Sequence, residues 1–280
     1  MAVTAAVGFA LAVALLFIAD IGYVVEFAIN APVERTTAVG NEFFNAGTGR
    51  ELLLSIVTAT ITTLIALIIG IPAGYALSRL RIPGKIVVDT FVDAAIVLPP
   101  LILGVSLLVF FSSMRRLGEA MGAPDAPNPL IQGIYDFFVY QRPGIVLAQL
   151  FVSTALCIRA IKSTFDSADP RVESVAMTLG CTPFGAFWRV ALPQASSGIL
   201  AGAVLAWSYA IGLFAPVAIF AGTVRGRTAI LPTRTYLEVS VGHLEIAILL
   251  TLAMALIAMT ALIALKIVAR PAGGQNRGII

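Results

Sequence analysis

The 280-residue sequence has little charge: Asp, Glu, Lys and Arg together make up 12% of it, and hydrophobic residues make up 59%. Typical soluble domains carry about 25% charged residues, so a soluble fold could not cover its surface with so few. Lipid must therefore cover most of the surface. The basic residues are scattered between apolar runs and form no stripe, which argues against nucleic-acid binding.

Residues for metal and disulfide chemistry are also scarce. His243 is the single histidine, which excludes a zinc cluster built on several histidines. Cys157 lies in an apolar run and Cys181 in a polar loop, so the two make neither a disulfide framework nor a metal site. An intramembrane enzyme would need a nucleophile with a base, or several metal ligands, and no such set is present. We therefore expect no catalytic residue, no metal and no cofactor bound by this chain.

The sequence also lacks the phosphate-binding loop of an ATPase. That loop needs Gly-Lys followed by Ser or Thr, with another glycine five residues before this pair. The one Gly-Lys pair, Gly84-Lys85, is followed by Ile86, and Arg79 stands where the first glycine belongs. Energy for any active process would have to come from another polypeptide.

Long apolar runs are what the sequence does contain. A helix needs about 20 mostly apolar residues to cross about 30 Å of hydrocarbon. Backbone polar groups in lipid must be satisfied within the element, so the spans are helices. We predict an all-α membrane protein, a six-span helical bundle. The predicted spans are 3–29, 52–78, 89–114, 143–165, 194–221 and 241–268.

The ends of the chain are assigned from charge. Lys and Arg are absent before Arg35, which disfavours a cleaved signal peptide, so we expect a retained first span. Six spans put both termini on one side. With the N-terminus inside, ten of the eighteen Lys and Arg residues are cytoplasmic, a weak positive-inside bias. We predict a multi-pass protein of the bacterial or archaeal cytoplasmic (inner) membrane with both termini in the cytoplasm.

Three regions follow from this reading. Residues 1–51 form a first span and an outer loop, and residues 52–268 form a core transmembrane domain. The core contains a cytoplasmic loop at 166–193, and residues 269–280 form a frayed cytoplasmic tail.

The 166–193 loop is polar and carries helix signals. Asp169-Pro170 is typical of a helix start, Leu179-Gly180 of a helix end, and Thr182-Pro183 of a second start. We predict two short helices joined at a glycine hinge.

The second of these helices has a bulky aromatic stripe. Phe184, Phe187 and Trp188 lie at helical spacing on one face. One interpretation is an interfacial helix that lies on the membrane, with Arg189 at its polar edge. The other is a docking helix that fills a groove on a cytoplasmic partner.

The end of the loop resembles a known family. Gly180, nine further residues and then Val190-x-Leu192-Pro193 are similar to the EAA loop of binding-protein-dependent ABC importer permeases of type I. In that family the loop seats in the ATPase subunit. Ala176 matches the second alanine of the motif. The family has Glu six residues before the glycine, where this chain has Ser174, and Glu173 lies one residue earlier.

The resemblance implies which residues couple the loop to an ATPase. They are Glu173, Ala176, Gly180, Phe184, Phe187, Trp188, Arg189, Leu192 and Pro193. It also implies a role for Arg159, at the inner end of the fourth span, as the anchor of the loop.

The resemblance covers about residues 52–265. Gly70–Arg79 looks like the end of the family's second span, and Leu98–Gly104 looks like the start of a pore-lining span. Together the patterns are most similar to the molybdate, tungstate and sulfate permease group. Ala221–Thr228 also resembles the outer loop of that group. That group has Gly-Glu-Phe-Gly in its fifth span, where this chain has Gly212-Leu-Phe-Ala215.

The family implies a MetI-like permease subunit that forms the substrate path and couples ATP hydrolysis elsewhere to uptake of a small solute. An oxyanion such as molybdate, tungstate or sulfate is the leading substrate class. The implied partners are cytoplasmic ABC ATPase subunits that use ATP and Mg, a periplasmic or lipid-anchored solute-binding protein, and a second permease copy or homologue. Two alternatives remain: a permease for another small polar solute or a metal complex, and an ion-coupled secondary transporter, whose usual inverted repeat we do not find.

Two further groups of residues are weaker candidates. Prolines in lipid-embedded helices free carbonyls that are tolerated where they line protein or a water-filled path. The candidate path residues are Pro99, Pro100, Ser106, Ser208 and Tyr209. The outer-loop residues expected to attract an anion or to contact the delivery protein are Arg225, Arg227 and Arg234.

Overall fold

The computed structural model describes residues 2–44, 46–80, 83–121 and 128–268, and this part of the chain is helical with no strand assigned. The predicted tail at 269–280 lies outside the described residues. The helices are α1 (Ala2–Asn30), α2 (Val33–Phe43), α3 (Ala46–Arg79), α4 (Lys85–Val97), α5 (Pro100–Met121), α6 (Pro129–Phe138), α7 (Arg142–Ser167), α8 (Pro170–Thr178), α9 (Pro183–Ala186), a π-helical segment (Phe187–Ala191), α10 (Leu192–Gln194), α11 (Ser196–Gly212), α12 (Ala215–Phe220), α13 (Leu231–Val241) and α14 (Leu244–Val268).

Five described helices are long and apolar enough to cross a membrane, and a bent pair makes up to six. The single helices contribute Leu11–Asn30, Gly47–Arg79, Pro100–Ala120, Arg142–Ser167 and Leu244–Ala264. The bent pair is Pro183–Gln194 with Ser196–Gly212, at 69°. The all-α fold and its span number thus agree with the sequence-based prediction.

Two predicted spans have wrong boundaries because proline breaks them. The predicted span 89–114 is interrupted at Leu98, whose extended backbone (φ −62°, ψ 133°) separates α4 from α5. A residue before proline is pushed out of the helical region, and Pro99 follows Leu98. The predicted span 194–221 likewise stops at Gly212, and a separate short helix, α12, has Pro216 in its first turn.

Helices α3, α7 and α11 pack against each other most extensively and form the core. Two glycine pairs at the four-residue spacing that permits close helix contact lie at these contacts: Gly70 with Gly74 on α3, and Gly198 with Gly202 on α11. A Cβ on Gly74 would lie 2.9 Å from Ile161 Cγ2, and a Cβ on Gly198 would overlap the Thr164 side chain. Glycine is therefore required at both positions because α7 approaches the two neighbouring backbones closely.

One buried amide joins the three core helices. Gln149 on α7 is fully buried; its Oε1 accepts a hydrogen bond from Thr62 Oγ1 at 3.0 Å, and its Nε2 donates to the Ala210 carbonyl at 2.9 Å. α11 ends two residues after Ala210, and the Leu213 N–H also donates to the Ala210 carbonyl, at 3.3 Å. Gln149 therefore gives this carbonyl a second donor where the helix unwinds.

The opposite ends of α3 define two ends of the bundle. Its last residue, Arg79, contacts the 166–193 loop, and its first turns contact α13 through Glu51. Helix α7, with 26 residues or about 39 Å at 1.5 Å per residue, also leads from the far end to this loop. We call the end near Glu51 the remote end.

Candidate functional site

The 166–193 loop folds as two short helices around a glycine, which confirms that prediction. The Asp169 carboxylate accepts a hydrogen bond from the Arg171 N–H at 2.9 Å at the start of α8, and Thr182 Oγ1 accepts one from the Gly185 N–H at 3.1 Å at the start of α9. Gly180 between them has φ +94°, a left-handed conformation that side chains with a Cβ rarely adopt. Nothing lies within 4 Å of a Cβ placed there, so backbone conformation alone requires glycine.

The loop joins the fifth span through a π-helical turn. The Leu192 N–H donates to the Phe187 carbonyl, one residue further back than in an α-helix. Pro193 explains the widening, because its ring lacks an N–H and would clash with the carbonyl of Arg189 in a regular helix. The chain then bends by 69° into α11.

Glu173 is the brace that ties α8 to the end of α3. Glu173 is buried, and its carboxylate accepts from Arg79 Nε at 3.0 Å and from the Tyr75 hydroxyl at 2.8 Å. Arg79 Nη2 also donates to the Ala168 carbonyl at 2.9 Å, just before α8. The neighbouring Ser174 is exposed, and its hydroxyl donates only to the Pro170 carbonyl of its own helix, at 3.3 Å.

The predicted aromatic stripe divides between two roles. Phe184 and Trp188 are 73% and 53% exposed, with ring centroids 6.1 Å apart. Phe187 instead turns inward, half-buried, with its ring 4.7 Å from that of Tyr75. The expectation of a single three-residue docking face is therefore wrong, because the widened turn places Phe187 against α3.

The remaining loop residues of the predicted set differ in their exposure. Arg189 and Pro193 are exposed, and Ala176 and Leu192 are half-buried. Four more apolar side chains of α8 and its C-terminal end, which sequence analysis did not select, are exposed; they are Val172, Val175, Met177 and Leu179. We call these four residues with Phe184 and Trp188 the apolar loop face.

The prediction that Arg159 anchors the loop is wrong. Arg159 lies more than a turn before the end of α7, and its Nη1 pairs with the Asp93 carboxylate of α4 at 2.7 Å. One turn further along, Lys162 pairs with Asp89, also on α4. The two pairs hold α4 against α7, and Arg79 is the arginine that holds the loop. A signal for this was present, since Arg79 closes the Gly70–Arg79 run that resembles the family.

The candidate path residues lie at the proline break and on α11. Pro99 and Pro100 separate α4 from α5, and Ser106 is exposed on α5. Ser208 Oγ donates to the Val204 carbonyl of its own helix at 2.7 Å, and Tyr209 is half-buried. Their role in a path stays a prediction.

The prediction that Arg234 attracts an anion is wrong. Arg234 is 2% exposed, and its guanidinium lies 2.8 Å from the Glu51 carboxylate and 3.0 Å from that of Glu42. Arg225, although half-exposed, pairs with Glu238 at 2.5 Å and with Glu42 at 3.2 Å. These carboxylates neutralise both arginines, so they staple α2, α3 and α13 together at the remote end. Arg227 is exposed, and its role stays a prediction.

The described residues form an all-helical bundle of apolar spans with a braced helical loop between two of them, which is the architecture of a polytopic membrane protein. The solved structures agree: the fold matches that of a bacterial ABC transporter for the acidic polysaccharide alginate, with a TM-score of 0.65 and 14% identity, covering 91% of this chain and 95% of that one. It also matches the MetNI methionine ABC transporter, with a TM-score of 0.58 and 15% identity, covering 79% of this chain and 94% of that one.

The chain belongs to the family of binding-protein-dependent transport system inner membrane components, which matches residues 66–271. The molybdenum transport system permease protein ModB of Mycobacterium tuberculosis is 33% identical over 81% of both chains. The molybdate/tungstate transport system permease protein WtpB of Thermococcus kodakarensis is 39% identical over 56% of this chain and 54% of its own. The matched stretch thus spans about half the length of that relative. The family membership confirms a multi-pass inner-membrane protein.

Proposed function

We propose that this chain is the permease subunit of an ATP-driven importer and that the 166–193 loop transmits the movement of separate ATPase subunits to the spans. The observation that carries this proposal is the brace between Glu173, Arg79 and Tyr75. A loop fixed by a buried ion pair moves together with α3, whereas a merely interfacial helix would need no such attachment. The apolar loop face leaves aromatic anchors free for a partner, which is the composition typical of binding hot spots.

Force on the loop has two routes into the bundle. The first runs from α8 through Glu173 to Arg79 and α3. The second runs through the π-helical segment and the bend at Ala195 into α11. Because α3 and α11 both pack on α7, a shift of the loop biases the bundle between two arrangements rather than deforming one helix.

The partners follow from this arrangement. The ATPase subunits bind ATP and Mg and meet the apolar loop face in the cytoplasm, and this chain binds no cofactor itself. A solute-binding protein delivers substrate at the remote end, which faces outward, and a second permease copy or a homologue completes the path. With six spans, both termini then lie in the cytoplasm.

The substrate that we propose is a tetrahedral oxyanion, molybdate or tungstate. Support comes from the two relatives, which are a molybdate/tungstate and a molybdenum transport system permease protein. Leu213, where the oxyanion group has Glu, is buried, so this side chain contributes no charge to a path. Another small polar solute or a metal complex is the second candidate.

The test is reconstitution of the chain in liposomes with its ATPase and binding protein, followed by measurement of vanadate-sensitive ATP hydrolysis and of molybdate uptake. The variant Gly180→Val should insert normally but lose uptake, because valine is strained at φ +94°. Gly133→Val is a matched control, since Gly133 lies in α6 with open space around it. Uptake at the wild-type rate in Gly180→Val would contradict the role of the loop, and uptake without ATP would contradict an ATP-driven importer.

A further inference from the structure

Three arginines at the remote end take no part in ion pairs among the described residues. They are Arg50 at the start of α3, Arg142 at the start of α7, and Arg227 in the segment before α13. Each of the three is exposed. They differ in this respect from Arg225 and Arg234, whose guanidinium groups are neutralised by carboxylates.

The three unpaired arginines line two adjoining cavities. A cavity of about 360 Å³ is bordered by Arg50, Glu51 and Arg142, and one of about 440 Å³ is bordered by Arg142, Arg227 and Asp136. Arg142 is common to both. Its Nε donates to the Arg227 carbonyl at 3.1 Å, which fixes the side chain between the two cavities.

The charge in these cavities is strongly one-sided. Glu51 is already paired with Arg234 at 2.8 Å, so its carboxylate is neutralised. Asp136, on the wall of the second cavity with Arg142 and Arg227, is then the one carboxylate on these walls without an ion pair among the described residues, whereas the two cavities together have three such guanidinium groups. The N-terminus of α7 lies at the same place, with Pro143 on the wall of the second cavity, and a helix N-terminus adds partial positive charge.

We propose that Arg50, Arg142 and Arg227 form an anion-receiving rim, which takes a divalent tetrahedral oxyanion as it leaves the binding protein. This inference rests on the proposed importer function and adds the place where the substrate first meets the permease. Guanidinium groups bind tetrahedral oxyanions through paired N–H donors, and their fixed fork suits this geometry better than lysine does. The cavities are open to solvent, so the rim holds the ion weakly and releases it toward the path.

The experiment uses the reconstituted importer with molybdate and tungstate as probes. The triple variant Arg50→Gln, Arg142→Gln, Arg227→Gln is compared with the triple Lys variant at the same positions. Arg116→Gln is the matched control, because Arg116 is exposed, forms no ion pair among the described residues and lines neither cavity. The readouts are ions transported per ATP hydrolysed, the dependence of uptake on ionic strength, and the stimulation of ATP hydrolysis by the loaded binding protein.

We expect the Gln variant to transport about tenfold fewer ions per ATP, which corresponds to losing about one charge-assisted contact. Its uptake should also depend less on salt than that of the wild type, because fewer exposed charges remain to be screened. The Lys variant should recover part of the loss, and Arg116→Gln should behave as the wild type does.

Three results would overturn the rim. If the Gln variant transports as many ions per ATP as the wild type does, the proposed rim is contradicted, whereas the proposed importer function is not. Loss of stimulation by the binding protein, equally severe in the Lys variant, would show that these arginines contact the delivery protein rather than the ion. If the wild type itself transports neither molybdate nor tungstate, the proposed substrate fails first, and the rim fails with it.

Discussion

Removing the Glu173 carboxylate should detach α8 from α3 and uncouple ATP hydrolysis from transport. The Arg79 and Glu173 side chains are only 13% and 8% exposed. Removing one partner of a buried ion pair costs about 3–5 kcal/mol, because the other charge is left without compensation. We take the lower end, about 3 kcal/mol, since the pair lies at the edge of the bundle. This value corresponds to roughly a hundredfold increase in the population with α8 detached.

Limited proteolysis measures that population directly. Trypsin can cut after Arg171, which is exposed on α8, and cleavage of a transiently opened segment follows the population of the open form when reclosing is fast. In Glu173→Ala we expect roughly hundredfold faster cleavage at this site, together with ATP hydrolysis that no longer drives uptake. In Glu173→Gln, which keeps the shape and one acceptor oxygen but loses the charge and the second acceptor, the cost should be about 1–2 kcal/mol.

Ser174→Ala is the matched control for this experiment. Ser174 is adjacent and exposed, and its hydroxyl contacts only its own helix, so cleavage and uptake should stay at wild-type values. If Glu173→Ala shows the same cleavage rate and the same ions per ATP as Ser174→Ala, the loop is not held by this ion pair, and the reasoning from the brace fails.

Two further predictions concern packing. Phe184→Ala and Trp188→Ala should each weaken assembly with the ATPase by about 1–3 kcal/mol without changing the thermal unfolding midpoint, because both side chains are exposed. Phe187→Ala should instead lower the midpoint, because Phe187 packs on α3. Co-purification with the ATPase measures the first effect, and thermal unfolding in detergent measures the second. Gly198→Ala should lower the free energy of unfolding by about 1–3 kcal/mol, because the added Cβ would overlap the Thr164 side chain. The double variant with Thr164→Ala should recover part of that stability. Equal thermal unfolding midpoints for the single and double variants would contradict the close approach of α7 and α11.

Local signals in the sequence predicted much of the loop. Helix starts at Asp169 and Thr182 and the turn at Gly180 depend on neighbouring residues alone, and all three occur as predicted. The glycine pairs on α3 and α11 are also local in sequence, and their four-residue spacing is typical of closely packed membrane helices. The exact ends of the spans at Leu98 and Gly212 were missed, because apolar composition continues through a proline break.

The ion pairs could not be predicted in the same way. Arg79 and Glu173 are 94 residues apart, and Arg234 and Glu51 are 183 residues apart. The packing of α3 decides that Arg234 is buried among carboxylates while Arg227 is exposed. Sequence analysis therefore identified outer arginines as a group but could not divide them into structural and free members.

Helix α3 is held by a buried arginine–carboxylate contact near each end: Arg79 meets Glu173 at one, and Glu51 meets Arg234 at the other. The two anchor residues are about 42 Å apart at 1.5 Å per residue. Because both ends of α3 are fixed to neighbouring elements, a tilt of this helix moves the elements at both membrane surfaces together. Pro72 is the single proline inside α3 and therefore the place where this helix can bend. The stiffness of the turn around Pro72 then determines how closely movements at the two membrane surfaces are coupled.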